Sequence, residues 1–303
     1  MHSQSRRLTF LIALFASACS ASELVPDDAI NCFDCEEWNQ PQEPFHIFGN
    51  THYVGTAGLT SLLIDTHDGL VLLDGGLPQS AALIAENIET LGFAIEGVRA
   101  IALSHAHYDH AGGIAALQRA SGASVFTSPD AAIALAQGRL QENDPQFVAG
   151  SMGNAFPAVV RPLVIDDGGI FKVGEVFVKG IYTPGHTAGG MSWTWRSCEE
   201  NRCLRFVYAD SLTAVSTPGY RFSDGMSDIL RSSILRLAEL DCDILLSTHS
   251  SSFRLHEKLA KGRDAFVDEQ ACKRYATRAL GKLEDRLANE EQVTGESVST
   301  SPD

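Results

Sequence analysis

The chain has 303 residues and a net charge of −15, with 38 acidic side chains against 23 Lys and Arg. That balance excludes the clustered cationic surface a phosphate backbone requires, so no nucleic-acid partner is expected. The length suits one large domain with a full core, and no segment is long and uncharged enough to span a bilayer, which needs about 20 apolar residues.

Residues 1–7 carry Arg6 and Arg7 and no acid, residues 8–15 form a short apolar run, and Ala16-Ser17-Ala18 supplies small residues for cleavage. Together they predict an export signal over 1–18, and losing the two arginines takes the charge to −17. Cys19 follows the small residues directly, which makes it a candidate lipid anchor, although lipoprotein signals usually carry leucine where Ala16 stands. Setting Cys19 aside leaves an even six of the seven cysteines, as an oxidising compartment favours. Local spacing suggests Cys32–Cys35, Cys198–Cys203 and Cys242–Cys272 without fixing the connectivity. Only the last would close a long loop, worth about 3–4 kcal/mol in the chain-entropy model. A zinc-ribbon reading of Cys32-x-x-Cys35 lacks a second pair nearby.

After a polar leader over 19–43, residues 44–74 alternate apolar and polar with turns at Gly49-Asn50, Gly55 and Asp68-Gly69, which predicts successive antiparallel strands. A helix is expected over 80–91, ending at Gly92, and a buried strand over 98–103. A helix over 113–120, a strand over 124–127 and a helix over 129–136 follow. Residues 138–160 hold too many Gly, Asn and Pro for a regular element, yet include Phe147, Met152 and Phe156. Such a loop predicts a binding flap, the alternative being that its aromatics tuck into the core. Strands are expected over 159–165, 176–182, 192–195, 204–208 and 242–247, and helices over 228–240 and 263–286. The Glu-, Ser- and Thr-rich tail over 287–303 is expected to be disordered. One domain over 44–286, with two blocks of strands each followed by helices, fits an α/β four-layer αββα sandwich.

The chemistry concentrates in Ser104-His105-Ala106-His107-Tyr108-Asp109-His110, directly after the expected strand ending at Leu103. Extended residues at i and i+2 face the same way, so His105 and His107 can converge on one ion. The chain then turns, which lets Asp109 and His110 address a second. Three His and one Asp in this fixed order should arise by chance in roughly one such chain in two thousand. His186, in Thr183-Pro184-Gly185-His186-Thr187, and His249 each end a strand-like run and fall on the same edge if their strands lie in facing sheets. His2, His46, His52, His67 and His256 lack such settings.

The segments SHAHYDHAGG, TPGHTAGG, YADSLTAVSTPGY and LLSTH, in this order, resemble the metallo-β-lactamase superfamily, and most closely its subclass B3. The N-terminal stretch CEEWNQPQEPFHIFGNTHYVGTAGL resembles that subclass too. The resemblance implies the metallo-β-lactamase fold with two zinc ions, His105, His107 and His186 on the first and Asp109, His110 and His249 on the second. It implies hydrolysis of a β-lactam amide by a metal-bound hydroxide that Asp109 orients, with Ser211 and Thr213 receiving the substrate carboxylate. Asp210 is not expected to be a ligand, only to shape the loop presenting Ser211 and Thr213; in thioesterases such as glyoxalase II a similar aspartate bridges the metals. No cysteine stands at the position that binds zinc in subclass B1, and Met191 replaces a hydroxyl residue usual in the family. A periplasmic or secreted monomer is implied. The alternatives are a thioester or lactone hydrolase of the same fold, or a non-enzymatic zinc protein with a closed site.

Overall fold

The computed structural model describes residues 24–299; the expected export signal, Cys19 and residues 300–303 lie outside that range. Two sheets form the centre. The first takes β1 (Phe45–Phe48), β2 (Thr51–Tyr53), β3 (Leu62–Asp65), β4 (Leu70–Leu73), β5 (Val98–Ala102), β6 (Ser124–Thr127) and β7 (Leu163–Val164) in chain order. Its strands are antiparallel as far as β4 and parallel from β4 onward. The second orders β8 (Ile170–Val173), β9 (Val176–Tyr182), β10 (Met191–Glu199), β11 (Arg202–Ala209) and β12 (Ile244–Ser247) as β12-β11-β10-β9-β8, parallel only between β11 and β12.

Strands β3 to β5 carry almost unbroken apolar runs because both faces of their sheet are covered. With a side-chain period of two, Leu62, Ile64, Val71, Leu73, Ala100 and Ala102 face the inter-sheet core. Leu63, Leu70, Leu72 and Ile101 face the opposite way, into an apolar layer shared with helices α2 (Ser80–Thr90), α4 (Ile114–Ser121) and α5 (Pro129–Gln137). Helices α6 (Met226–Ala238) and α8 (Ala271–Ser299) pack on the second sheet, completing the expected αββα order. Short helices α1 (Cys35–Trp38), α3 (Tyr108–Ala111) and α7 (Leu255–Lys261) complete the set. Buried indoles tie the sheets together: Trp193 Nε1 donates to Leu103 O at 3.0 Å and Trp195 Nε1 to Thr51 Oγ1 at 3.0 Å. All three locally spaced cysteine pairs are disulfides. No described helix is long and apolar enough to cross a membrane.

The structure departs from the sequence expectations in three places. Residues 138–160 do not expose their aromatics: Phe156 is buried and Phe147, partly buried, packs on the apolar layer that α2, α4 and α5 share. Between 159 and 165 only Leu163–Val164 is strand, while β8 was not anticipated. The terminal helix begins at Ala271, not 263, and continues to Ser299 through the tail expected to be disordered. The reason is Glu290, whose carboxylate accepts the amides of Phe222 and Ser223 at 2.9 and 3.0 Å and pairs with Arg286 at 2.7 Å. Leu287 packs on the core beside it.

Burial works against the Glu290 charge, but Arg286 and the two amides prevail and lower its pKa from 4.5 to about 2. A group depressed on folding contributes stability above its unfolded pKa and loses it as pH falls through the folded value. Glu290→Gln should therefore lower stability above about pH 4.5 and converge with the parent as pH falls through about 2. Urea unfolding at graded pH measures this, and a constant offset down to the lowest pH would refute it.

Candidate metal centre

The histidine motif begins where β5 ends. Leu103 and Ser104 carry the chain out of the sheet, His107 takes an extended conformation (φ −96°, ψ 155°), and α3 starts at Tyr108. This turn lifts His105, His107, Asp109 and His110 to one edge, all buried. Ser104 is pinned by Asp74, whose Oδ1 accepts its amide at 2.7 Å and whose Oδ2 accepts its hydroxyl at 2.6 Å. Tyr208 on β11 donates to the same Oδ2 at 2.7 Å, so one carboxylate joins the ends of β4, β5 and β11. Asp74 Oδ2 also lies 3.7 Å from His110 Nδ1.

The loop from β9 to β10 supplies His186. Gly185 precedes it with φ +133°, a conformation side chains rarely adopt, and a Cβ there would lie 2.5 Å from Leu230 Cα on α6. Ser233 Oγ holds the same turn by donating to Pro184 O at 2.6 Å. His249 follows β12 and is fixed by a bridge to Leu59 and by the Thr60 amide donating to Thr248 O at 2.9 Å. Its ring lies 5.1 Å from that of Trp38.

These residues form two overlapping groups, His105/His107/His186 and His105/Asp109/His110, each with donor atoms within 4.8 Å of one another. His249 joins the second group more loosely, with Nε2 3.4 Å from Asp109 Oδ2 and its ring 5.0 Å from that of His110. One nitrogen of each histidine in the first group is occupied: His105 Nδ1 meets Asp210 Oδ1 at 2.7 Å, His107 Nε2 meets Asp144 Oδ2 at 3.0 Å, and His186 Nδ1 meets Thr213 O at 3.0 Å. His105 Nε2 is buried with no hydrogen-bond partner, while His110 Nε2 lies 3.2 Å from Asp109 Oδ2, its fellow member of the second group. A buried, unpartnered lone pair is costly unless an electrophile takes it, and imidazoles beside a carboxylate are the donors zinc accepts.

Burial, reinforced by its histidine neighbours, holds His105 well below the ordinary imidazole range, and burial with His107 lowers His186 to about 3. Both rings are thus neutral and able to donate to a metal. For Asp109, burial alone would raise the pKa, but His110 and His249 outweigh it and keep the carboxylate ionised.

Ser211 and Thr213 both line the cleft of about 450 Å³ above the histidines. Ser211 Oγ lies 2.7 Å from Thr248 Oγ1, while Thr213 Oγ1 lies 3.0 Å from His186 Nδ1. Met191 is fully buried between the sheets, where its thioether packs close to Gly180, and does not line the cleft. Asp210 does more than shape a loop, since it holds His105. Sequence reasoning missed Trp38, Asp144 and Gln146. The Gln146 amide lies 3.4 Å from both His107 Nδ1 and His186 Nε2. The Gly, Asn and Pro content marked Asp144 as a loop residue, but not its approach to a histidine 37 residues away.

A four-layer sandwich with a metal-binding histidine cluster at one sheet edge defines a class of metallohydrolases. The family model described as Metallo-beta-lactamase superfamily matches residues 55–199. Among solved structures, the Rm3 metallo-β-lactamase is 48% identical with a TM-score of 0.83, covering 86% of this chain and all of its own. MEM-A1, a subclass B3 metallo-β-lactamase from a soil metagenome, is 43% identical (TM-score 0.80; 84% of this chain, 99% of its own). SMB-1 bound to 2-mercaptoethanesulfonate is 40% identical (TM-score 0.80; 84% and 99%). The chain belongs to the metallo-β-lactamase superfamily, in its subclass B3, whose enzymes are hydrolases acting on β-lactams.

Gly185→Ala should cost at least about 1 kcal/mol, because it forces a left-handed backbone onto a residue with a Cβ and drives that Cβ into α6. Urea denaturation measures the loss, and unchanged stability would show that the turn relaxes freely.

Proposed function

We propose that the protein hydrolyses the amide of β-lactams with two zinc ions, His105, His107 and His186 holding the first and Asp109, His110 and His249 the second. The observation that carries this reading is the convergence of His105, His107 and His186, with one donor atom of each within 4.8 Å of the others and each ring anchored through one nitrogen by Asp210, Asp144 or the Thr213 carbonyl. When bound, zinc supplies a strong nucleophile at neutral pH by acidifying water and polarises the carbonyl under attack.

The chain's own residues do the positioning. Asp109, ionised at the cleft floor, accepts a hydrogen bond from the attacking water and aims it at the lactam carbonyl. Ser211 and Thr213 present hydroxyls to the substrate carboxylate, Thr213 while also steadying His186. Asp210, Asp144 and the Thr213 carbonyl fix the imidazole tautomers, a role whose loss typically lowers metal affinity 10–100-fold. Three disulfides and the export-like N-terminus support work outside the cytoplasm, in the periplasm or secreted, with Cys19 available for lipid attachment. On this reading the enzyme is a monomer that protects its host from β-lactams.

Nitrocefin, a thioester and a lactone assayed in parallel should show turnover of nitrocefin, lost on chelation and regained with zinc. Full turnover by metal-free protein would sink the mechanism, and preference for the thioester or lactone would reassign the substrate.

Asp109→Asn and Asp210→Asn separate ligand from support. The first should lose the second zinc and at least about a hundredfold in kcat/KM. The second should keep near-parental zinc at saturation yet bind it about 10–100-fold more weakly, because His105 loses its carboxylate acceptor. Metal content by mass spectrometry on folded protein decides; equal zinc loss at saturation would make Asp210 a bridging ligand.

A further inference from the structure

The metal centre occupies the edge where β9, β11 and β12 end, and the same sheet carries a second cavity near its other end. There, beyond the end of α6, strands β9, β10 and β11 floor a space of about 580 Å³ lined by Phe177, Lys179, Arg196, Arg205 and the disulfide partners Cys198 and Cys203. Side chains alternate between faces, so Trp195, Leu204 and Phe206 enter the core while Arg196, Cys198, Cys203 and Arg205 stand exposed on the outer face.

The charges on this face are incompletely matched. Arg196 lies directly across from Arg205, one step along the same face from the Cys198–Cys203 pair, and like charges so placed repel. Arg205 is answered by Asp241 at 2.9 Å and Asp243 at 3.0 Å, and Glu175, the other carboxylate of the lining, lies 3.2 Å from Lys172. Asp167, whose charge Lys179 also feels, is taken by Arg236 at 2.8 Å. Lys179 and Arg196 therefore form no ion pair among the described residues, in a chain of net charge −15.

Between these cations sits an accessible sulfur–sulfur bond. Cys198 and Cys203 are both exposed, whereas Cys35 in one of the other bridges and both Cys242 and Cys272 in the third are buried. Exchange requires that a thiolate reach a disulfide sulfur, and nearby cations favour both the thiolate that attacks and the one that leaves.

We propose that this cavity receives a carboxylate-bearing thiol, whose carboxylates rest on Lys179 and Arg196 while its sulfur exchanges with the Cys198–Cys203 disulfide. The site is separate from the metal centre and does not depend on the β-lactamase reading. The incoming thiolate forms a bond to one cysteine sulfur, the Cys198–Cys203 bond breaks, and its electron pair leaves on the other sulfur as a thiolate. A second molecule of the thiol then displaces the first as a disulfide, so two thiols are oxidised while the cysteine pair is reduced and takes up their two protons.

Mercaptosuccinate and mercaptoethanol are offered separately to the zinc-loaded protein at low ionic strength, and the opened bridges are alkylated and mapped by mass spectrometry, with folding followed by circular dichroism. Each rate is divided by that of the same thiol on a neutral dialkyl disulfide, which removes differences in intrinsic nucleophilicity. So normalised, mercaptosuccinate should open Cys198–Cys203 before the other bridges and at least about threefold faster than mercaptoethanol, although the overall charge of the chain repels it. The advantage should vanish in about 1 M salt. Combining Lys179→Gln with Arg196→Gln, both at exposed positions, should cancel it while leaving the mercaptoethanol rate within about twofold. If the double variant fails to fold, Arg196→Gln alone decides. An equal or slower rate for mercaptosuccinate, an advantage that survives the substitutions or the salt, or first opening at another bridge would overturn the proposal.

Discussion

A buried imidazole has two nitrogens to satisfy, and the architecture of this protein turns on how that is done. If both bonded to protein, none would remain for a metal; if neither did, the rings would be free to flip. Each histidine of the first group has an acceptor, and the acceptors come from two segments far apart in the chain: Asp210 and the Thr213 carbonyl just beyond β11, and Asp144 in the loop after α5. The free nitrogens therefore point inward because the fold outside them is rigid.

The same logic extends one layer deeper. Asp74 sits in a left-handed conformation (φ +56°) at the end of β4, fully buried, and gathers Ser104 and Tyr208 around its carboxylate. Asp74 and Asp210 both resist ionisation because burial strips their water, which raises each pKa. His110 beside Asp74 offsets part of that cost for Asp74, and a metal behind His105 and His110 would supply further positive charge to both. The acidity that makes the chain unfit for nucleic acid is, at this edge, the support of a cation site.

How much of this was legible in the sequence follows from where each signal lies. The motif from His105 to His110 is contiguous, so strand and turn geometry alone gave its convergence. His186 and His249 were legible as strand-ending histidines, since both lie just beyond β9 and β12. Asp144, Gln146 and Trp38 were not, because nothing in their local sequence encodes contact with histidines far along the chain. The tail was misread because its composition is polar, while its order comes from one carboxylate bonding two amides 67 and 68 residues away. Met191 was an apparent departure from the family pattern whose side chain belongs to the core.

The spread of the histidine set along the chain has a thermodynamic consequence. His105 and His249 are brought together only when both sheets have formed and stacked, so the unfolded chain holds no equivalent site. Any cation gripped by the assembled set stabilises the folded state by mass action, about 2.7 kcal/mol per site at a free concentration one hundred times its dissociation constant. Heat resistance thereby becomes a gauge of metal supply, and a cell starved of the ion would hold a protein closer to unfolding and more exposed to proteolysis.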